Sequence, residues 1–266
     1  KKKLTEKQAM KPAKLSFKND IDAGFNFIHI DTSLSLNGTE KSPKKTFNRL
    51  FELYKFCSNY AKSKNKKIYF EIGTEEQSGT TNTPEELRQT LIKVFKFCES
   101  EALPKPSFVV IQSGTKVMET KNLGSFDSPI RVGNEIPPEI QLPKMIEICE
   151  KFNIMMKAHN TDYLSDTALS WHPKLGIHAA NVAPEFGVRE TLSLIRVMDE
   201  LKLREYKKKF IDISFKSKKW EKWVIDKKKL SKEKKSIICG HYNFSNKEFL
   251  LIKKSLEEIF YKKKRK

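Results

Sequence analysis

Five short apolar segments constrain the fold of this chain more than any other feature, because each of them ends among polar residues. The segments are Phe27–Asp31, Lys67–Ile72, Ser107–Gln112, Ile154–His159 and Gly176–Asn181. Stretches with the apolar spacing of helices separate them, and this alternation predicts a parallel sheet in an α/β protein. Parallel strands in such proteins end on one face, which carries the active site. We therefore expect five polar residues to gather at that face: Asp31, Glu71, Gln112, His159 and Asn181.

The stretches between the strands carry recognisable helix start signals. Prolines stand at the predicted first helical positions 43, 84, 138 and 184, where the missing N–H costs nothing. Thr83 with Glu86 has the capping-box spacing, and we expect the helix that starts at Pro184 to run to about Lys207. Residues 116–138 have no regular pattern, and a loop of that length at a strand end favours a lid or a binding loop.

The same patterns predict three regions along the chain. Residues 1–13 have no apolar periodicity and are expected to be disordered or a connecting segment. Residues 14–207 hold the alternating strands and helices. Residues 208–266 lack strand patterns and are expected to form a helical C-terminal extension, with a helix at about Asn246–Tyr261.

The net charge of +19 has two possible meanings. It fits a nucleic-acid-binding protein, but the basic residues are mostly Lys, whereas bidentate contacts to phosphates and bases favour Arg. The lysines are spread over nearly every predicted helix, which favours solvated helix faces, so a nucleic-acid partner is the less favoured interpretation. No apolar run approaches the ~18 residues of a membrane span. The four cysteines form no Cys-x-x-Cys pair, and this is typical of buried free thiols in the cytoplasm.

Three segments at successive strand ends resemble a known family. They are His29–Leu34, Phe70–Glu75 and Ala158–Tyr163, and they resemble the tagatose-bisphosphate aldolase accessory-subunit family, of the GatZ/KbaZ type. Val109–Gln112 and Pro184–Glu190 fit the same register, so the resemblance covers roughly residues 15–225. This family is similar to the zinc-dependent class II ketose-bisphosphate aldolases.

The resemblance implies a TIM (β/α)8 barrel of the class II aldolase type. The five predicted strands then correspond to barrel strands four to eight, followed by the helical C-terminal extension. Five strands cannot close a barrel, and an open parallel edge is a liability. We therefore expect the sequence to be a fragment of a longer protein, or the barrel to be completed by another chain.

The resemblance also implies the chemistry of the strand ends. Class II aldolases use a divalent cation, usually Zn²⁺, to hold the enediolate, together with a carboxylate that moves protons. In this sequence, His159 matches a metal ligand, and Asp31 and Glu71 are the candidate catalytic carboxylates. The relatives have a further His where this chain has Gln112, which argues against an independent zinc site. The candidate substrate-binding residues are Gln112, Thr161, Asp162, Asn181, Lys116 and Arg189.

Three functions remain open at this point. The favoured one is a non-catalytic, stabilising subunit of a tagatose-1,6-bisphosphate-like aldolase, with a sugar phosphate and a catalytic class II aldolase subunit as partners. The alternatives are a metal-dependent aldolase active in its own right and a Lys-rich nucleic-acid-binding protein. Among the other candidates, His29 is interpreted as a core histidine, and Lys157, which shares a strand face with His159, is a minor candidate for a Schiff base.

Overall fold

The computed structural model describes residues 5–33, 42–73, 83–127 and 137–264, and within these ranges the chain is an α/β protein. Residues 34, 74, 75 and 128–136 of the segments discussed above lie outside the described residues. No helix in the described ranges combines the length and the apolar character that crossing a membrane requires. By the contacts between residues, the chain divides into two units, and each is described separately below.

The first unit contains a five-stranded parallel sheet whose strands lie side by side in chain order. The strands are β1 (Phe27–Asp31), β2 (Tyr69–Gly73), β3 (Phe108–Ile111), β4 (Met155–Ala158) and β5 (Ala179–Ala180). All five predicted strands are therefore confirmed, although β5 is shorter than expected. Because every strand runs in the same direction, all five carboxyl ends lie at one edge of the sheet, as predicted.

Within its described residues, this unit has the helices α1 (Glu6–Asp22), α2 (Pro43–Ser63), α3 (Pro84–Ser100), α4 (Pro138–Lys151) and α5 (Asp166–Lys174). The three proline starts are confirmed, and Thr83 and Glu86 form the predicted capping box. The prediction that residues 1–13 lack structure was wrong for Glu6 onward. Thr5 and Gln8 form a second capping box there, and it satisfies backbone N–H groups that the first turn of a helix leaves open.

The core of the first unit lies between these helices and one face of the sheet. Successive strand residues point to opposite faces, so Ile28 and Ile30 enter the core while their neighbours in β1 remain exposed. The aromatic rings of Tyr54 and Phe70 stack there at 3.8 Å, and both side chains are fully buried. Burial of such side chains stabilises the fold by about 1.5–3 kcal/mol each, and it fixes which strand residues face the other side.

The second unit contains α6 (Pro184–Glu200), α7 (Arg204–Lys216), α8 (Lys232–Cys239) and α9 (Lys247–Lys264), together with the short segments 117–123 and 161–164. The prediction of one helix from Pro184 to about Lys207 was wrong. The backbone turns at Lys202, which has a φ of +57°, a left-handed conformation that helices do not continue through. Helices α8 and α9 and most of α7 lie in the region expected to be a helical extension, residues 208–266, and the extension and its boundary at residue 207 stay predictions.

Candidate functional site

One face of the sheet in the first unit carries the polar strand residues. It lies opposite the helix-covered core, because alternate residues of each strand point away from Ile28, Ile30 and their counterparts. His29, Glu71 and Lys157 lie in the middle of their strands on this face. The remaining polar residues lie at the carboxyl ends, where Asp31 ends β1 and His159 follows β4.

Glu71 is the centre of the face. Its Oε1 lies 2.7 Å from Nδ1 of His29, and its Oε2 accepts a hydrogen bond of 2.8 Å from the Lys157 ammonium. The Glu71 side chain is only 2 % exposed, whereas those of His29 and Lys157 are 37 % and 22 % exposed. We call these three residues the Glu71 cluster. It joins a buried carboxylate to two partners that both reach solvent.

The electrostatics of the cluster favour an ionised Glu71. Burial alone would raise the pKa of this carboxyl. The hydrogen bonds from His29 and Lys157 act in the opposite direction and outweigh burial, so the pKa of Glu71 lies below its ordinary value. A carboxylate that is ionised accepts hydrogen bonds only, so the proton between Glu71 and His29 belongs to Nδ1 of the imidazole.

The sheet register explains how the cluster forms. His29 and Glu71 are direct partners across the β1–β2 pair, so their side chains meet on the same face. Lys157 lies on β4, two strands from β2 and therefore ~10 Å away, and its long side chain crosses β3 to reach the carboxylate. Gly73 matters as well, because a Cβ atom there would lie 3.1 Å from Cε1 of His29. The absence of a side chain at Gly73 therefore leaves room for the imidazole.

His159 is held by its neighbours at the carboxyl end of β4. Its Nδ1 lies 2.7 Å from the side-chain amide nitrogen of Gln112 and 3.0 Å from that of Asn160, and its carbonyl accepts a hydrogen bond from the Thr115 hydroxyl. Burial lowers the pKa of His159, and a protonated His29 lowers it further, while Asp31 and Glu71 act to raise it. The imidazole is therefore neutral near pH 7.

Two of the predicted residues of the first unit, Asp31 and Asn181, have structural contacts at the strand ends. Asp31 accepts a 2.8 Å hydrogen bond from the backbone N–H of Ser33, and the backbone of Asn181 donates to the carbonyl of Ala158 at 2.9 Å. Lys116 is half-buried. The predicted catalytic role of Asp31 and the predicted substrate contacts of Asn181 and Lys116 stay predictions.

The predicted residues of the second unit lie around the start of α6. Asp162 is 1 % exposed, and its Oδ1 accepts hydrogen bonds from the backbone N–H groups of Ala183 and Glu185 at 3.0 and 2.7 Å. Burial raises its pKa, although these hydrogen bonds act to lower it. Arg189 pairs with Glu185 at 3.3 Å, and Thr161 is buried. Asp162 thus has a capping role in the structure, and the substrate contacts predicted for these residues stay predictions.

The described residues do not by themselves supply the ligands of a catalytic zinc site. A catalytic zinc site takes three protein ligands, but within residues 5–33, 42–73, 83–127 and 137–264 no three His, Cys, Asp or Glu side chains are arranged to share one metal ion. Nδ1 of His159 faces Gln112, and Nδ1 of His29 faces Glu71. The assignment of His159 as a metal ligand therefore stays a prediction.

The structure changes the interpretation of His29, while the Schiff-base role considered for Lys157 stays a prediction. The interpretation of His29 as a core histidine was wrong, because its side chain is 37 % exposed. A usable signal was present in the spacing: His29 and Asp31 are two residues apart, so they share a face, and that face is opposite the one occupied by Ile28 and Ile30. The ion pair between Lys157 and Glu71 joins residues 86 positions apart, and the sequence carries no signal for it.

Comparisons with known proteins find likeness at the level of structure. No protein-family model and no curated protein matches the chain. A probable tagatose 6 phosphate kinase from Sinorhizobium meliloti has a similar structure, with a TM-score of 0.69 and 18 % identity over 97 % of this chain and 66 % of that one. A glycerol-complexed fructuronate-tagaturonate epimerase from Cohnella laeviribosi has a TM-score of 0.53 and 11 % identity over 98 % of this chain and 63 % of that one.

At such low identities, these two likenesses show the fold alone. The chain shares an α/β fold with proteins whose names refer to sugars, and this confirms the predicted fold class at a coarse level. The chain spans 66 % and 63 % of the lengths of those two proteins. The substrate of a whole protein that contains this chain can therefore only be proposed.

Proposed function

We propose that this chain is part of a sugar-phosphate aldolase-type protein of the GatZ/KbaZ kind, which binds a tagatose-1,6-bisphosphate-like ketose and stabilises a catalytic class II aldolase partner. Two lines of evidence support the proposal. The motifs at the strand ends resemble that family, and the fold is similar to that of a probable tagatose 6 phosphate kinase and a fructuronate-tagaturonate epimerase.

The strand order supports a barrel-type arrangement within this proposal. Open sheets of the dinucleotide-binding type reverse their strand order at a switch point, where they bind their ligand. The five strands here run in chain order without reversal, as do consecutive strands of a TIM barrel. We propose that they correspond to barrel strands four to eight.

The observation that carries the proposal is the polar face of the sheet. The Glu71 cluster lies in the middle of it, and the hydrogen-bonded pair of Gln112 and His159 lies at the carboxyl ends. Hydroxyl and phosphate groups of a sugar phosphate need hydrogen-bond donors, acceptors and a cation in one place. Lys157 supplies the cation, and the imidazole and amide groups supply the rest.

The accessory role is favoured over an independent zinc aldolase, because the described residues do not form a three-ligand group around His159. Purified full-length protein separates the two functions. We expect it to bind tagatose 1,6-bisphosphate in calorimetry, to cleave none of it alone, and to slow the thermal inactivation of a class II tagatose-bisphosphate aldolase subunit. Cleavage by the chain alone, lost with EDTA and in His159→Ala, would establish the independent aldolase instead. Absence of both ligand binding and partner stabilisation would refute the proposal.

A further inference from the structure

The Glu71 cluster has the geometry of a proton-transfer site that works without a metal. Nδ1 of His29 carries its proton toward the ionised Glu71, at 2.7 Å. In the neutral form of this imidazole, Nδ1 bears the one hydrogen, and Nε2 then has a free lone pair. A carboxylate that fixes the tautomer of a histidine in this way also stabilises the imidazolium that forms when Nε2 takes a proton.

Lys157 completes the arrangement, because its positively charged ammonium pairs with the same carboxylate. Its ammonium has three donors, and Glu71 is its one hydrogen-bond partner in the part of the chain that the structure describes. Two N–H groups therefore remain for a ligand. The ion pair holds the ammonium in place while 22 % of the side chain reaches solvent. A fixed cation of this kind stabilises an oxyanion that develops beside it.

We propose that His29 and Lys157 are catalytic residues for the enolisation of an α-hydroxycarbonyl sugar phosphate, with Glu71 as the positioning residue for both. This inference rests on the proposed function for the class of ligand, and it adds an activity that needs neither a metal nor a partner subunit.

The step conserves all atoms and electrons. Nε2 of His29 removes the proton from the carbon next to the carbonyl, and the C–H electron pair forms a carbon–carbon double bond. The carbonyl π electrons move to oxygen, which becomes an enolate oxyanion beside the Lys157 ammonium. When the imidazolium returns a proton to carbon after exchange with solvent, the substrate is regenerated with solvent hydrogen at that position.

The experiment measures this exchange directly. Full-length protein treated with EDTA is incubated with dihydroxyacetone phosphate in D₂O. Proton NMR then follows the loss of the signal of the hydroxyl-bearing methylene next to the carbonyl. We expect exchange above the protein-free rate. His29→Gln should lower it by about 10²–10⁴-fold, as for loss of a general base, and Lys157→Met by about 10²–10³-fold, as for loss of oxyanion stabilisation.

Two further variants separate catalysis from folding. Lys105→Met removes an exposed lysine of the same unit that pairs with Glu99, and it should exchange at the wild-type rate. Glu71→Gln presents an amide N–H to Nδ1, so nitrogen NMR of His29 should show the hydrogen moved to Nε2, together with loss of exchange. A purely structural role of Glu71 would leave the tautomer unchanged.

The outcomes distinguish this inference from the proposed function. Calorimetry with dihydroxyacetone phosphate is run on each variant that shows a wild-type circular dichroism spectrum. Binding without exchange above the protein-free rate, or equal exchange in His29→Gln and wild type, overturns the enolisation proposal and leaves sugar-phosphate binding in place. Absence of dihydroxyacetone phosphate binding by the wild type overturns the enolisation proposal as well, whereas the proposed function fails only if tagatose 1,6-bisphosphate binding and partner stabilisation are both absent.

Discussion

Replacement of Glu71 by Gln tests the central interaction of the first unit. The substitution keeps the shape of the side chain and removes its charge, so Lys157 loses its ion-pair partner and His29 keeps its hydrogen bond only by changing tautomer. Removal of one partner from a buried ion pair costs about 3–5 kcal/mol. Since the side chains of His29 and Lys157 are 37 % and 22 % exposed, both regain some water. We therefore expect the loss in unfolding free energy to be about 2–3 kcal/mol.

The assay is urea denaturation followed by circular dichroism, with a double-mutant cycle between Glu71→Gln and Lys157→Met. The matched control is Glu101→Gln, because Glu101 forms an exposed ion pair with Lys55, and the loss there should stay below about 1 kcal/mol. Equal losses for the two Glu→Gln variants, or strictly additive effects in the cycle, would refute the interpretation of Glu71 as the centre of the face.

The pH dependence of the same variant has a definite sign. The pKa of Glu71 is lowered in the folded protein from its ordinary value of 4.5, so the unfolded chain binds the proton more readily. The stabilisation by this carboxylate is therefore complete above that ordinary value and is lost as the pH falls through the lower folded pKa. The stability difference between wild type and Glu71→Gln should shrink in acid, and an unchanged difference would contradict the sign.

Three further predictions concern other parts of the chain. Thr83→Ala removes the cap of α3 and should cost about 1 kcal/mol in urea denaturation, whereas Thr83→Ser should cost little. Burial raises the pKa of Cys57 and Cys149 to about 12 and that of Cys98 to about 11. These thiols should therefore not react with Ellman's reagent in native protein at about pH 8, but they should react after unfolding. Rapid labelling of native protein would contradict their burial. Burial lowers the pKa of His159, so the unfolded chain takes up a proton first as the pH falls below about 6.5. When the pH is lowered from about 7.5 to about 5.5, the wild type should therefore lose more stability than His159→Gln. Equal losses in the two proteins would refute a neutral buried imidazole.

The elements with local signals could be predicted from the sequence. A proline at the first helical position identifies α2, α3, α4 and α6, since its fixed φ suits that position and its missing N–H is not needed there. The strands were predictable because short segments rich in apolar residues and bounded by turn residues are typical of strands. Parallel strands all end at one edge, so the position of the polar residues that end or follow them was predictable, whereas Glu71 lies in the middle of β2.

Elements without a local apolar pattern were harder to predict. Helix α1 starts at Glu6, where Thr5 and Gln8 supply a capping box, but its surface is too polar for the spacing of apolar residues to reveal its first turns. The break between α6 and α7 depends on one residue, Lys202, in a left-handed conformation. Lysine has no preference that would signal such a turn, and the surrounding apolar pattern continues across it.

The sequence by itself determined the α/β fold class, the parallel strands of the described residues and the edge at which they end, because periodicity and capping are local properties of the chain. Only the tertiary structure decided which polar side chains of the sheet are in contact. His29, Glu71 and Lys157 come from three strands, and their contacts depend on the register of β1 with β2 and on a side chain that crosses β3. Register and burial arise from the packing of the whole sheet on its helices, and no single segment encodes them.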